Sequence, residues 1–202
     1  MLTDIPYDVV NRESGGLRNL DKGDADHAGF DLKQFLNEAI RITKGSFYIF
    51  CSTEQVSQIR STLASAGCST RLCIWEKTNP SPMNGQYIWL SGVECCVYGK
   101  FKGAPFHEHC KNTVFRYPAG RNQFHPTQKP VPLLRQFILA SSNPGDIVFD
   151  PCMGSGSTGV ACMETGRKFA GAEIKRQWFE TSQSRIKDAY MANRTNNEVV
   201  IS

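Results

Sequence analysis

Several features that would assign this chain to a special class of protein are missing from its sequence. No apolar run approaches the roughly 18 residues that cross a membrane, and the N-terminus lacks the basic start and apolar stretch of a secretory signal. No internal repeat or low-complexity tract occurs. None of the eight cysteines forms a Cys-x-x-Cys pair, and the group His107, His109 and Cys110 fits no usual zinc spacing. We therefore expect a cytoplasmic globular protein without a metal, whose cysteines are reduced and mostly buried.

The composition is that of a folded domain with an uneven distribution of charge. The 202 residues, 40% hydrophobic and 21% charged, suit one α/β domain with a sizeable core. A net charge of +4 is too small to indicate a nucleic-acid partner by itself, but residues 100–129 contain six Lys or Arg against one acid, Glu108. Phenylalanine and tyrosine are interleaved with these cations. The region therefore suits phosphates and unstacked bases, although a solvated loop with core aromatics fits equally well.

Predicted strands and helices alternate along most of the chain. Residues 8–29 are polar and contain several glycines, which predicts a long functional loop, and the tail from Asn193 to Ser202 is expected to fray. The alternation predicts an α/β fold with a mostly parallel sheet and helices on both faces, in which ligands bind at the carboxyl ends of strands. Predicted strands cover 46–51, 70–76, 93–98, 147–149 and 169–173; predicted helices cover 32–44, 52–67, 130–140, 155–165 and a last segment to about 189.

A glycine-rich turn follows the apolar strand that ends at Phe149. Gly154, Gly156 and Gly159 fit Gly-x-Gly-x-x-Gly between a strand and a helix, where backbone N–H groups can approach a ligand closely. Glu173 lies 19 positions after Gly154, where dinucleotide folds carry a ribose-binding carboxylate. A nicotinamide-dinucleotide site is therefore one alternative, and a tight turn without a ligand is another.

The segment Asp4-Ile5-Pro6-Tyr7 predicts a clamp for an amino group. The lone pair of an exocyclic base amine is delocalised into the ring, so the amine is a poor nucleophile. The carboxylate of Asp4 and the carbonyl of Ile5 could accept its two N–H bonds and favour the pyramidal nitrogen that attacks. Tyr7 could stack on a base flipped out of the duplex, and Pro6 stiffens the loop.

Taken together, these motifs resemble the permuted beta group of DNA amino-methyltransferases, in which a catalytic Asp-Pro-Pro-Tyr precedes the cofactor motif. Two further segments are similar to the group: His-Pro-Thr-Gln-Lys-Pro at 125–130 and Trp-Glu-Lys-Thr-Asn-Pro at 75–80. The resemblance covers nearly the whole chain and implies a single Rossmann-like methyltransferase domain over 1–202 with circularly permuted motif order. It also implies a short target-recognition insertion at about 77–121.

The resemblance implies S-adenosyl-L-methionine as cofactor, double-stranded DNA as partner, and direct methyl transfer to an exocyclic nitrogen. Aspartate at the head of the clamp favours adenine N6, with cytosine N4 as the alternative. A homodimer and a cognate restriction enzyme are compatible with it, and no membrane partner is expected. The implied residues are catalytic Asp4, Ile5, Pro6 and Tyr7; cofactor-binding Asp150, Pro151, Cys152, Gly154, Ser155, Gly156, Thr158, Glu173, His125, Thr127, Gln128 and Lys129; and DNA-binding Arg12, Arg18, Lys77, Lys100, Lys102, Lys111, Arg116 and Arg121.

Two departures from the group's pattern leave other functions open. Ile5 replaces the first proline of the clamp, and the sequence begins three residues before Asp4, whereas the group usually carries 20–30 residues there, including a Gly-Asp motif. A shortened form is therefore expected, and an inert DNA-binding remnant is an alternative. Amino methylation of RNA or of a protein is a third option. Cys152 falls inside the cofactor loop, so we reject a cysteine nucleophile.

Overall fold

The computed structural model describes residues 1–7, 30–82, 85–120 and 128–199. Strands and helices alternate through most of these residues, as the sequence predicts. The strands are β1 (Leu2–Asp4), β2 (Ser46–Cys51), β3 (Ser69–Lys77), β4 (Val93–Lys100), β5 (Val114–Tyr117), β6 (Ile147–Asp150) and β7 (Lys168–Gly171). The helices are α1 (Leu32–Ile42), α2 (Val56–Ser65), α3 (Val131–Ser141), α4 (Ser157–Glu164) and α5 (Arg176–Val199). The alternation is interrupted where β3, β4 and β5 follow one another without a helix.

Within the described ranges, five strands form one sheet in the order β1-β2-β4-β3-β5, and β6 pairs with β7 in a two-stranded sheet beside β1. Three of the five pairings are parallel: β1 with β2, β3 with β5, and β6 with β7. Strand β4 runs antiparallel to both of its neighbours. The fold is thus α/β with a mixed, mostly parallel arrangement, which confirms the predicted class.

Helices cover both faces of the sheet, and alternate side chains of β2 contact the helices on each face. Phe47 and Ile49 point into a core with α1 and α2, whereas Tyr48 and Phe50 point into a second core with α3 and α4. Every residue of β2 is buried. An unbroken apolar strand of this kind is expected where helices pack on both faces.

The list of predicted strands lacks β1 and β5, and the end of the last helix was placed wrongly. Strand β5 lies inside the region that reads as a basic loop, because its four residues are too few to display an alternating pattern. The tail was predicted to fray from Asn193, but α5 continues to Val199. The amide of Asn193 donates to the carbonyl of Met163 at 2.7 Å, which ties this part of α5 to the end of α4. The predicted loop at 8–29 lies outside the described residues.

The cysteines behave largely as small hydrophobic residues. Cys110 is exposed and Cys152 is half-buried, whereas the other six are buried. All eight are free thiols. The prediction of reduced, mostly buried cysteines is therefore consistent with the packing.

Candidate active site at the strand ends

The clamp segment follows β1 directly and is fixed by the neighbouring strand and helix. The N–H of Ile5 donates to the carbonyl of Phe50 at 3.3 Å, which extends the pairing of β1 with β2. Gln55 precedes α2, and its side-chain amide donates to the carbonyl of Pro6 at 3.0 Å while accepting from the N–H of Ser52 at 3.0 Å. The bond between Ser52 and Gln55 is one of the two hydrogen bonds of a capping box. The side-chain amide of Gln55 also holds the clamp, through the carbonyl of Pro6.

Both carboxylate oxygens of Asp4 have a donor in the structure. The hydroxyl of Tyr7 donates to Oδ1 at 2.9 Å, and Nζ of Lys129 donates to Oδ2. The side chain of Asp4 is 27% exposed, so it faces the surface at one side only. Burial raises the pKa of Asp4 above its ordinary value, against the attraction of Lys129. Burial also raises the pKa of Tyr7, so this hydroxyl stays a donor at any ordinary pH.

Lys129 was predicted to border the cofactor, but the structure places its ammonium group on the clamp. This side chain is 7% exposed and bridges two carboxylates, Asp4 and Glu94, the latter with Nζ 3.1 Å from Oε2. Lys77 was predicted to bind DNA. Its Nζ instead lies 2.8 Å from Oε1 of Glu94, with 18% of the side chain exposed. Sequence reasoning missed Glu94 entirely.

The glycine turn has the backbone geometry that the sequence predicts. Gly154 and Gly156 have φ values of 49° and 80°, a region that residues with a Cβ avoid. The carboxylate of Glu173, half-buried beyond β7, accepts from the N–H of Gly154 and from the N–H of Lys175, each at 2.9 Å. Glu173 and the turn therefore form one unit, as their spacing in the sequence indicates.

Asp150 holds the turn together from beneath. Its oxygens accept from the hydroxyl of Thr158 at 2.7 Å and from the N–H of Cys152 at 3.1 Å, and only 4% of the residue is exposed. Burial raises the pKa of Asp150 to about 6, and the negative charge of Asp4 acts in the same direction. Asp150 and Thr158 thus fix the shape of the turn. The clamp lies close enough for the charge of Asp4 to raise the pKa of Asp150.

Helix α5 supports the turn in a way that the sequence did not reveal. A guanidinium nitrogen of Arg185 donates to the carbonyl of Ser155 and to its hydroxyl at 3.0 Å. A Cβ on Gly159 would lie 2.7 Å from Cγ1 of Ile186 and 3.0 Å from a ring carbon of Phe169. The third glycine of the motif therefore permits close packing of α5 and β7 on α4. Ser155, Gly156 and Thr158 are all buried within this arrangement.

The predicted DNA-binding cations do not lie on one surface. Because β4 is antiparallel to β2, Lys100 pairs with Ser46 at the start of β2, roughly 20 Å along the strand from Glu94. Lys102 lines a cavity of about 900 Å³ together with Ser46 and Ile147, both of which begin strands. Exposed Lys111 lies three residues before the start of β5. Arg116 lies near the other end of β5 and bonds Glu76 at 3.0 Å.

The aromatic residues of this region mostly belong to the core. Phe101 packs edge-on against Phe47, and Phe115 against Phe137. The hydroxyl of Tyr117 donates to the side chain of Gln136 at 2.8 Å. Of the two interpretations that the sequence left open, core packing therefore holds for these three residues.

An exposed apolar group lies instead on the loop between β3 and β4. The loop residues from Thr78 to Gly92 carry no charge. Trp89 is 98% exposed and Tyr87 is 81% exposed, with Ile88 and Leu90 between and beside them. The start of the loop is attached to the segment after β5, because Asn79 exchanges two hydrogen bonds with the backbone of Ala119, at 2.6 and 3.2 Å. The loop rejoins the sheet at Val93, so it ends two residues before Glu94.

Five of the predicted site residues lie in parts of the chain that the structure does not describe. Arg12, Arg18, Arg121, His125 and Thr127 lie outside the described residues. Among the residues that are described, no group of His, Cys, Asp and Glu is arranged to hold a metal ion. No described helix is both long and apolar enough to cross a bilayer.

Comparison with known proteins gives a consistent picture. Residues 87–184 match the N6/N4 methyltransferase family, described as DNA methylase. The chain is 27% identical to the type II methyltransferase M2.DpnII of Streptococcus pneumoniae, over 97% of this chain and 84% of that protein. It is 49% identical to the DNA adenine methyltransferase YhdJ of Escherichia coli, over 44% of this chain and 32% of that protein.

Solved structures agree with the sequence relatives. The M1.HpyAVI–SAM complex superposes with a TM-score of 0.73 at 26% identity, over 92% of this chain and 86% of the other. The cytosine-N4-specific PvuII DNA methyltransferase has a TM-score of 0.67 at 18% identity, over 95% of this chain and 84% of the other. The second likeness concerns the fold alone.

Proposed function

We infer that this chain, which belongs to the N6-adenine/N4-cytosine DNA methyltransferases, methylates the exocyclic amino group of a flipped DNA base, and we propose adenine N6 as the target. The observation that carries the proposal is the position of Asp4. Its carboxylate is held by Tyr7 and Lys129 at the end of β1, close to the glycine turn with Glu173.

The methyl donor of this family is S-adenosyl-L-methionine, which supplies a methyl group activated by a sulfonium centre. The residues present suit it. The turn at Gly154 and Gly156 has the positive φ values of a glycine turn, and Glu173 offers a carboxylate for the ribose hydroxyls. Oε1 of Gln128 is buried without a hydrogen-bond partner among the described residues, and the ammonium of the methionine end could donate to it.

We assign two acceptors to the amino group of the base. One is the carboxylate of Asp4, whose oxygens each retain a lone pair. The other is the carbonyl of Ile5, since the next carbonyl, that of Pro6, already accepts from Gln55. Two accepted N–H bonds favour a pyramidal nitrogen whose lone pair attacks the methyl carbon as the carbon–sulfur bond breaks. The nitrogen then gives up one proton, and Asp4 is the nearest base of the clamp.

Adenine is favoured over cytosine by the aspartate at the head of the clamp and by the similarity to a DNA adenine methyltransferase. The experiment uses purified protein, S-adenosyl-L-methionine and unmethylated genomic DNA, followed by mass spectrometry of the nucleosides. We expect N6-methyladenine. N4-methylcytosine would keep the mechanism and change the substrate, whereas retention of DNA without transfer would support a binding remnant.

The clamp and the cofactor turn are separable in the same assay. Asp4→Ala should abolish transfer and leave the affinity for S-adenosyl-L-methionine nearly unchanged, because Asp4 belongs to the clamp. Glu173→Ala should weaken the cofactor instead, because it removes the carboxylate that the turn holds. Calorimetric titration of each variant with the cofactor separates the two effects, and an unchanged rate for Asp4→Ala would refute the assignment of the clamp.

We further propose that the DNA is bound on the side of the sheet where the clamp lies. The exposed loop with Tyr87 and Trp89 and the cation of Arg116 lie at that side. A homodimer and a cognate restriction enzyme remain proposals, testable by sedimentation and by co-purification.

A further inference from the structure

Four charged side chains form one connected chain of contacts that ends at the clamp. Lys77 contacts Oε1 of Glu94, Glu94 contacts Lys129 through Oε2, and Lys129 donates to Asp4. They come from β3, β4, the segment just before α3 and the end of β1, respectively. Three of the four are about a fifth exposed or less. Withdrawing these charges from water is costly, so the network calls for an explanation in terms of function.

We propose that Lys129 and Glu94 are positioning residues for methyl transfer: Lys129 keeps Asp4 anionic, and Glu94 balances the charge of Lys129. This inference rests on the proposed function, in which the anionic carboxylate accepts the amino group. The two residues would touch neither the base nor the methyl donor. They would act only through Asp4.

The reason for two residues is electrostatic. A carboxylate as enclosed as Asp4 tends to take up a proton, and an ammonium beside it opposes that tendency. The same ammonium, if unbalanced, would cancel the negative field that stabilises positive charge developing on the amine nitrogen during transfer. Glu94 removes this conflict because it shares Lys129. The network is neutral as a whole, with two carboxylates and two ammonium groups.

The ionisation states that the surroundings favour for Glu94 and Lys129 agree with this arrangement. Burial opposes the charge of Glu94, but Lys129 and Lys77 outweigh it and lower the pKa of Glu94. Burial likewise opposes the charge of Lys129, and its two carboxylate partners raise the pKa of Lys129. Other titratable groups also face Asp4 or the network, and a measured titration includes their influence: Tyr7, Cys51 at the end of β2, Cys96 on β4, and Asp150 and Cys152 at the end of β6.

The proposal predicts opposite shifts for the two residues. In Lys129→Met, two carboxylates that shared one ammonium are left together, so the titration midpoint of Asp4 should rise by about 1–3 pH units. In Glu94→Gln, Lys129 acts on Asp4 alone, so the midpoint should fall. Lys129→Arg keeps the charge and should restore a midpoint near that of the wild type. A purely structural role would predict no such reversal of sign.

The experiment follows Asp4 by carbon-13 NMR of protein labelled at the aspartate carboxyl groups, without DNA or cofactor. The resonance is identified by its loss in Asp4→Asn. Arg41→Met is the matched control, because it removes an exposed cation paired with Glu38 on α1 and should leave the midpoint unchanged. If Lys129→Met does not fold, the downward shift in Glu94→Gln still tests the proposal.

The pH dependence of methyl transfer is then measured for the same variants. The acid limb of the rate profile should move up in Lys129→Met and down in Glu94→Gln, parallel to the NMR midpoints. Unmoved midpoints, or shifts of the same sign in both variants, would overturn the inference. If the wild type is active in that case, the proposed function still stands. An inactive wild type whose midpoints shift as expected would refute the function and keep the charge network.

Discussion

Asp150→Asn should stabilise the free protein at neutral pH, although the residue lies at the centre of the proposed cofactor turn. The carboxylate of Asp150 is 4% exposed and accepts from Thr158 and from the backbone of Cys152. An asparagine can keep both contacts. Its oxygen can accept from the N–H of Cys152, and its amide can donate to the hydroxyl of Thr158, which reverses its role. The substitution therefore removes a buried charge and keeps a hydrogen bond to each of these two partners.

The magnitude follows from the pKa of Asp150. Burial raises it from 3.8 to about 6, a difference of about 2 pH units, which corresponds to about 3 kcal/mol. The folded protein binds more protons than the unfolded chain between these two values, so its stability falls as the pH rises through this window. Above pH 6 the full cost is present. Below about pH 4 the carboxyl group is protonated in both states and the cost disappears.

The assay is urea denaturation of the wild type and of Asp150→Asn between pH 4 and pH 7, without cofactor. The free energy of unfolding of the variant should exceed that of the wild type by about 3 kcal/mol at pH 7 and by almost nothing at pH 4. Asp188→Asn, which removes an exposed carboxylate of α5, is the control and should show no such dependence. A gain that is constant across this range would refute the reasoning, because a change in packing does not titrate.

Three further predictions follow from single contacts. Tyr7→Phe keeps the ring but removes the hydrogen bond to Asp4, so methyl transfer should slow by about tenfold or more, as expected for a bond to a charged group; an unchanged single-turnover rate would contradict this role. Gly159→Ala should lower the free energy of unfolding by about 1–3 kcal/mol, because the new Cβ meets Ile186 and Phe169, whereas Gly120→Ala, which meets nothing within 4 Å, serves as the control. Trp89→Ala should weaken DNA binding by about 1–3 kcal/mol if the ring stacks on a base, with an unchanged melting temperature since the ring is 98% exposed; unchanged binding in a fluorescence titration would exclude this contact.

Local patterns along the chain predicted the glycine turn and suggested the clamp, because each lies within one short segment. The glycines at 154 and 156 need positive φ, and the spacing to Glu173 places its carboxylate one strand away, where it meets Gly154. Gly159 was read as part of the same motif. Its contact with Ile186 explains why the third glycine is needed, and that contact depends on α5.

The charge network escaped prediction because it depends on the direction of β4. In a sheet taken as mostly parallel, the end of β4 with Lys100 would face the clamp. Since β4 runs antiparallel to β2, its first residues lie there instead, and Glu94 meets Lys129. The same reversal places Lys100 at the opposite end of the strands, beside the first residue of β2. Asp4 and Lys129 are 125 residues apart in sequence, so no local pattern could pair them.

The isoleucine in the clamp illustrates how a departure from a family motif can be compensated. A proline at position 5 would fix φ but could not donate a backbone hydrogen bond. Ile5 donates to the carbonyl of Phe50 at 3.3 Å, and its side chain is 2% exposed in the core formed with α1 and α2. The strand pairing and the burial restrict the backbone that the missing ring would have restricted. The carbonyl that we assign to the amino group is therefore held by packing on the sheet, and replacing Ile5 with glycine should disturb it more than replacing it with proline.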